Sequence, residues 1–201
     1  DAPNPGPARE LIVDPGLVWS TFLGGSGEDR IQGVALQGTK STVVGVAQSG
    51  FPTTSATFQT SFGGSEDAFV ARLDSSLSGS AQLVWSTFIG GSSADQALAV
   101  DLSANGNVAF CGQTLSSNFP VSVSPNVPFA SSYAGGATNW NGFVSYFDNV
   151  GQSLLYSSYY GASNGVTRAN AIAIDSAPII TIVGYTEASN LSITGTTAYD
   201  T

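Results

Sequence analysis

The chain has 201 residues, with 5 basic against 14 acidic side chains and a net charge of −9. That balance lacks the basic footprint that neutralises phosphates or holds an anionic lipid surface, so neither nucleic acid nor membrane insertion is expected. No His and a single Cys remove the commonest general base and metal ligand, any internal disulfide and any Cys-rich zinc site. Apolar residues at 42% can fill a core, while charged residues at 9% leave the surface mainly to Ser, Thr, Asn and Gln, a β-rich and neutral-polar profile. No apolar run is long enough to span a bilayer and no charged-then-apolar leader opens the chain. The expectation is a soluble chain, compatible with the mature part of an exported precursor.

Taken in order, Asp1 to Pro7 holds three prolines and a glycine with no apolar period and reads as an extended linker. Residues 1–16 form that linker or the end of a preceding module, with Leu11-Ile12-Val13-Asp14-Pro15 a short strand or the close of that module. Then comes a motif that recurs. Leu17-Val18-Trp19-Ser20-Thr21-Phe22-Leu23-Gly24-Gly25 returns from Leu83 to Gly91 with one change, and loosely from Leu154 to Ala162, at spacings of 66 and 71 residues. Repeat units are therefore assigned to 17–82, 83–153 and 154–201, the last incomplete. Strands are expected at Leu17–Leu23, Gly33–Gln37, Thr42–Gln48 and Asp67–Leu73, and again at Leu83–Ile89, Ala97–Asp101, Asn107–Gln113 and Asn141–Phe147. In the second unit Asn105-Gly106 supplies the positive φ angles of a tight hairpin, so its second and third strands should pair antiparallel.

Both faces of Leu17–Leu23 carry large apolar side chains, as they would in sheets stacked face to face. Four short strands per unit and units longer than most solenoid repeats favour an all-β fold of β-propeller-type repeats over a solenoid. Trp19, Trp85 and Tyr156 should be equivalent and at least half-buried, as should Phe69 and Phe143. The third unit stops where Tyr199 aligns with Phe58, leaving about two complete blades and most of a third, too few to close a ring. An unpaired edge is expected near Ile179 to Tyr185, and Ile179, Ile180, Ile182, Tyr185 and Tyr199 are the candidate interface residues. Their partner would be another protein subunit or further sequence of the same precursor, added by β-augmentation.

Trp19 to Asp29, Phe51-Pro52-Thr53-Thr54, Thr57-Phe58-Gln59-Thr60 and Asp67-Ala68-Phe69-Val70-Ala71-Arg72-Leu73 together resemble the SBBP family, named for a seven-bladed β-propeller repeat. The second unit keeps Phe119-Pro120 and Asn141-Gly142-Phe143-Val144; the third keeps only Leu191-Ser192. The resemblance implies a propeller and an extracellular or bacterial cell-surface location, and it implies no reaction.

Candidate chemistry is sparse. Gly24 to Asp29 lacks the Lys-Ser/Thr and the helix of a phosphate loop. Glu28, Asp29, Glu66, Asp67 and Asp95 have carboxylates suited to calcium but no Asp-x-Asp-x-Asp spacing, and Val166 stands where Asp29 and Asp95 do. They read better as acceptors for turn N–H groups, with no obligatory metal and no cofactor. Asp67 matches Asn141, which favours a cap over acid-base work, and Cys111 has no cationic neighbour to activate it. The loop Gly135 to Asn141 is two residues longer than Gly63 to Asp67, and its Trp140 between Asn139 and Asn141 combines a flat apolar face with amides, as sugar-binding surfaces do. The leading expectation is a non-enzymatic structural or interaction module acting in assembly or adhesion. A glycan-binding module is the alternative, followed by a carboxylate-based polysaccharide hydrolase or lyase.

Overall fold

A computed structural model describes residues 16–122, 125–126, 128–177 and 179–191, and among these the chain is all-β with no α-helix. β1 (Arg30–Gln37), β2 (Lys40–Ala47), β3 (Asp67–Asp74) and β4 (Leu83–Ile89) form one antiparallel sheet in that order. β5 (Asp95–Leu102), β6 (Val108–Thr114), β7 (Asn141–Phe147) and β8 (Leu154–Tyr160) form a second, and among the described residues β9 (Thr167–Ile174) pairs only with β10 (Ile180–Thr186). A 3-10 turn, Gly79–Gln82, joins β3 to β4.

The sheets repeat one another residue by residue. Gly45 opposes Phe69 in the first sheet as Gly112 opposes Phe143 in the second, and Ala71 opposes Ser86 as Ser145 opposes Ser157. A bulge interrupts β1 between Ile31 and Gly33, β5 between Ala97 and Ala99, and the β9–β10 pair at Val183/Gly184. At each bulge the carbonyl of Arg30, Gln96 or Arg168 points at Gly45, Gly112 or Gly184, where an added Cβ would overlap it. Glycine is there because the bulged strand comes too close for any side chain.

Sheet and repeat are out of phase by one strand. β4, which opens the second unit, is the outer strand of the first sheet, and β8, which opens the third, is the outer strand of the second. Leu17–Leu23, almost the same sequence as β4, is not a strand: the chain is irregular there, with Leu17, Val18 and Phe22 fully exposed. No described strand of the β3 type lies beside it to pair with. Its Trp19 and Leu23 instead cover Val43, Phe69, Leu73 and Phe88 on the first sheet's free face. Leu11–Pro15 and Tyr199 lie outside the described residues.

The main core fills the space between the first and second sheets, where Val44, Val70, Trp85 and Ile89 meet Phe110, Phe143, Phe147 and Tyr159. Trp85, Phe69 and Phe143 are buried, and Trp19 and Tyr156 half-buried. Loop aromatics recur as pairs: Phe51 on Phe69 at 4.3 Å matches Phe119 on Phe143 at 4.4 Å, and Phe62 on Phe88 at 5.8 Å matches Tyr133 on Tyr159 at 5.9 Å. Phe58 crosses between sheets to reach Phe147 at 5.2 Å. The β5–β6 hairpin is as expected in pairing but not in turn type. Only Gly106, at φ +82°, is left-handed, and the Gly106 N–H donates to Ser103 O at 2.8 Å while Ser103 N–H donates to Asn107 O at 3.0 Å. A longer loop of this kind relieves Asn105 of a positive φ.

Candidate functional site

Three places gather the polar and unfilled features of the molecule. The first is the seam between the sheets, where Asp67 opens β3 and Asp95 opens β5. Asp67 accepts the N–H groups of Gly63 at 2.8 Å and Gly64 at 3.0 Å. Asp95 accepts the Gly91 N–H at 2.7 Å, the Ser116 hydroxyl at 2.8 Å and the Thr114 hydroxyl. Both carboxylates are fully buried. They flank Gly90, at which an added Cβ would meet Asp67 Cγ at 2.7 Å and Asp95 Oδ2 at 2.9 Å.

Burial pushes the Asp95 carboxyl up to about 6 against the bonds from Thr114, Gly91 and Ser116, and the charge of Asp67 adds to the rise. Asp67 is raised for the same first reason. Their oxygens are occupied by protein donors, and among the described residues no cluster of three or more His, Cys, Asp or Glu side chains could hold a metal. The two carboxylates thus act as turn acceptors. Sequence reading found that role for each but missed that they meet; Gly63 and Gly91, each in a Gly-Gly pair and each four residues ahead of its Asp, are the signal.

The third sheet has Thr167, not Val166, at the Asp29 and Asp95 position, because the connection from β8 is one residue longer. Its hydroxyl meets that of Thr186 at 2.9 Å, as Asp95 meets Thr114. Asp29 accepts the Gly25 N–H at 2.6 Å and the Gln48 N–H at 3.1 Å. Glu28 and Glu66 pair with Arg30 at 2.7 and 3.3 Å, in partly exposed bridges worth little to stability.

A pH signature follows from Asp95. A carboxyl whose folded pKa lies above its unfolded value makes the folded state bind the extra proton, so stability falls as pH rises from about 4 to about 6 and stays low above it. Two units correspond to about 3 kcal/mol. Asp95→Asn keeps a carbonyl for the Gly91 N–H and the Ser116 hydroxyl, which share one oxygen, and turns its amide N–H towards the Thr114 hydroxyl. The variant should match or exceed the wild type in urea at pH 7.5 and lose most of the gain the wild type shows at pH 4.5, Asp67 retaining a smaller slope. Parallel pH profiles for the two proteins would refute the assignment.

The second place is the Gly135–Asn141 loop. Asn141 is fully buried, its Oδ1 accepting the Ala134 N–H at 2.8 Å and its Nδ2 donating to Ala162 O at 3.3 Å. It occupies the position of Asp67 and presents no amide to a ligand, which corrects its place among the binding candidates. Ala134, bonded as Gly63 is, fixes the loop insertion at three residues rather than two. Asn139 and Trp140 are half-buried; the Tyr133 hydroxyl donates to Asn139 O at 2.6 Å, and Asn139 Nδ2 donates to Ser163 O at 3.1 Å. Cys111 is buried, its thiol pushed up to about 12 by burial and donating to Ala169 O at 3.4 Å.

The third place is the β9–β10 end. Among the described residues nothing pairs with the outer side of β10. Ile179 and Tyr185 are exposed and Ile180 and Ile182 half-buried. Beside them lies a cavity of about 190 Å³ lined by Tyr160, Ala169, Ile182, Gly184, Tyr185 and Leu191 among others. No protein-family model matches the chain, and no curated protein matches it.

Proposed function

We propose that the chain is a run of propeller-type blades of the SBBP repeat kind, in a protein exported to the bacterial surface or beyond, and that it works without catalysis as an assembly or adhesion module. The stacking of consecutive sheets with β1, β5 and β9 adjoining supports the blade reading, since radially arranged sheets meet at their first strands. The observation that carries the functional reading is the outer side of β10, which among the described residues pairs with no strand, on a sheet that lies beside two four-stranded ones. An uncovered edge of this composition recruits strands. Partners are other protein subunits or further sequence of the same precursor. Support for glycan binding is thinner than the sequence suggested, because Asn141 turns inward, and support for a carboxylate hydrolase is thinner because Asp67 and Asp95 are sealed from solvent.

Light scattering on the 201-residue chain tests this. The chain should associate with rising concentration, and Val183→Lys, which places a charge at an exposed position of the edge, should suppress that association. A cooperatively folding monomer at every concentration would overturn the assembly function.

A further inference from the structure

Resting on that reading, we infer that the β10 edge and its cavity are a seat for one kind of strand, bearing Asp or Asn, then Phe two residues on, then Leu or Phe four residues after that, with the Phe set opposite Gly184. The partner is a polypeptide segment carrying the pattern common to β3 (Asp67, Phe69, Leu73) and β7 (Asn141, Phe143, Phe147).

The two complete sheets show what the seat holds. Gly45 and Gly112 each oppose a Phe of the third strand, and Gly184 is their counterpart at the third bulge. In the second sheet the Phe143 ring is held by Phe119 at 4.4 Å and Phe110 at 6.1 Å. The residues in those places on the third sheet are Leu191 and Ile182, and both line the cavity beside Gly184. It is an open cleft of about 190 Å³, room enough for one phenyl ring, and its lining also includes Thr167, Arg168 and Thr186. By the same register Thr186 would oppose the Asp or Asn, as Ala47 opposes Asp67 and Thr114 opposes Asn141. Ile180 would oppose the Leu or Phe, as Ser41 opposes Leu73 and Val108 opposes Phe147.

A second contact waits for that strand. Phe58 leaves the first sheet's loop to pack on Phe147 of the second, with Gln59 N–H donating to Thr87 Oγ1 at 2.8 Å. Phe129 leaves the second sheet's loop with Ala130 N–H donating to Ser158 Oγ at 2.9 Å, the same anchoring one sheet on. Yet Phe129 remains 45% exposed. The Leu or Phe of an added strand would lie where Phe147 does and receive it. Main-chain pairing along β10 supplies affinity, and the two apolar positions supply selectivity.

The test uses the full chain and a synthetic peptide of residues 65–75, which carries Asp67, Phe69 and Leu73, with Phe69→Ala and Val70→Pro peptides as controls. Saturable binding is expected, with slowed amide exchange confined to β10 and the Gly184–Leu191 region. Phe69→Ala should weaken it about tenfold or more through loss of the buried ring, and Val70→Pro should abolish strand pairing. Absence of saturable binding up to about 1 mM, equal binding of the Phe69→Ala peptide, or protection elsewhere would each overturn the assignment. If the peptide fails while the chain still associates through a surface sensitive to Val183→Lys, this seat is wrong and the assembly reading stands. If the peptide binds as described while the chain alone stays monomeric, the seat stands and self-assembly falls.

Discussion

Replacing Trp85 by Ala is expected to cost about 4 kcal/mol of stability, the scale of a large core aromatic truncated where its surroundings cannot close in. The ring is 4% exposed, its indole N–H donates to Asn149 O at 3.2 Å, and the Arg72 guanidinium lies 5.4 Å from its centroid. Its floor is Gly151, at φ +69°, where an added Cβ would meet the ring within 2.9 Å. Trp85 belongs to β4, whereas Asn149 and Gly151 belong to the β7–β8 hairpin, so the side chain joins the first sheet to the second. Urea unfolding of Trp85→Ala should shift to much lower midpoint, and Trp85→Phe should recover the burial but not the N–H bond. A loss below about 1.5 kcal/mol would show that the sheets do not depend on this contact.

Arg72→Met should cost about 3 kcal/mol by a different route. Arg72 is buried with no carboxylate partner among the described residues; its Nε donates to Thr42 Oγ1 at 2.9 Å, Nη1 to Asn149 O at 2.8 Å and Nη2 to Gly106 O at 2.8 Å. Burial alone holds its pKa below the usual arginine value, so part of the charge's desolvation is recovered when it is removed. Against that stand three hydrogen bonds from a charged donor, about 1.5–3 kcal/mol each, and carbonyls left without them. The bonds win. Because two of the acceptors sit on hairpins of the second sheet, the loss should fall on the joint between sheets, and Arg72→Met should broaden the single unfolding transition or divide it. An unchanged midpoint, with desolvation relief cancelling the bonds, would contradict this balance.

What the sequence disclosed and what it withheld divide along a physical line. Strand positions, antiparallel order and the buried aromatics were legible because they follow from alternation and recurrence local to each strand. Leu17–Leu23 was misread as a strand because its sequence is that of β4, and only a neighbouring strand decides between them; β4 has β3 beside it. Thr167 was displaced by one residue and the Gly135–Asn141 insertion undercounted because loop lengths slide an alignment, whereas hydrogen bonds to Thr186 and Ala134 fix it. At the candidate site, the turn role of Asp67 and Asn141 could be read from their interchange. The meeting of Asp67 with Asp95 could not, since it depends on how two sheets stack.

The one-strand offset between repeat and sheet has a consequence for how such a chain can lengthen. The second unit contributes the outer strand of the first sheet, β4, and the first three strands of the second, β5 to β7. Duplication of a unit in the gene would therefore insert a finishing strand behind and three opening strands ahead, and every internal sheet of the longer array would still have four. Deletion of a unit would be equally seamless. Had the repeat coincided with the sheet, each new unit would be joined to its neighbours by a loop alone; here every copy is stitched across a joint from the moment it arises.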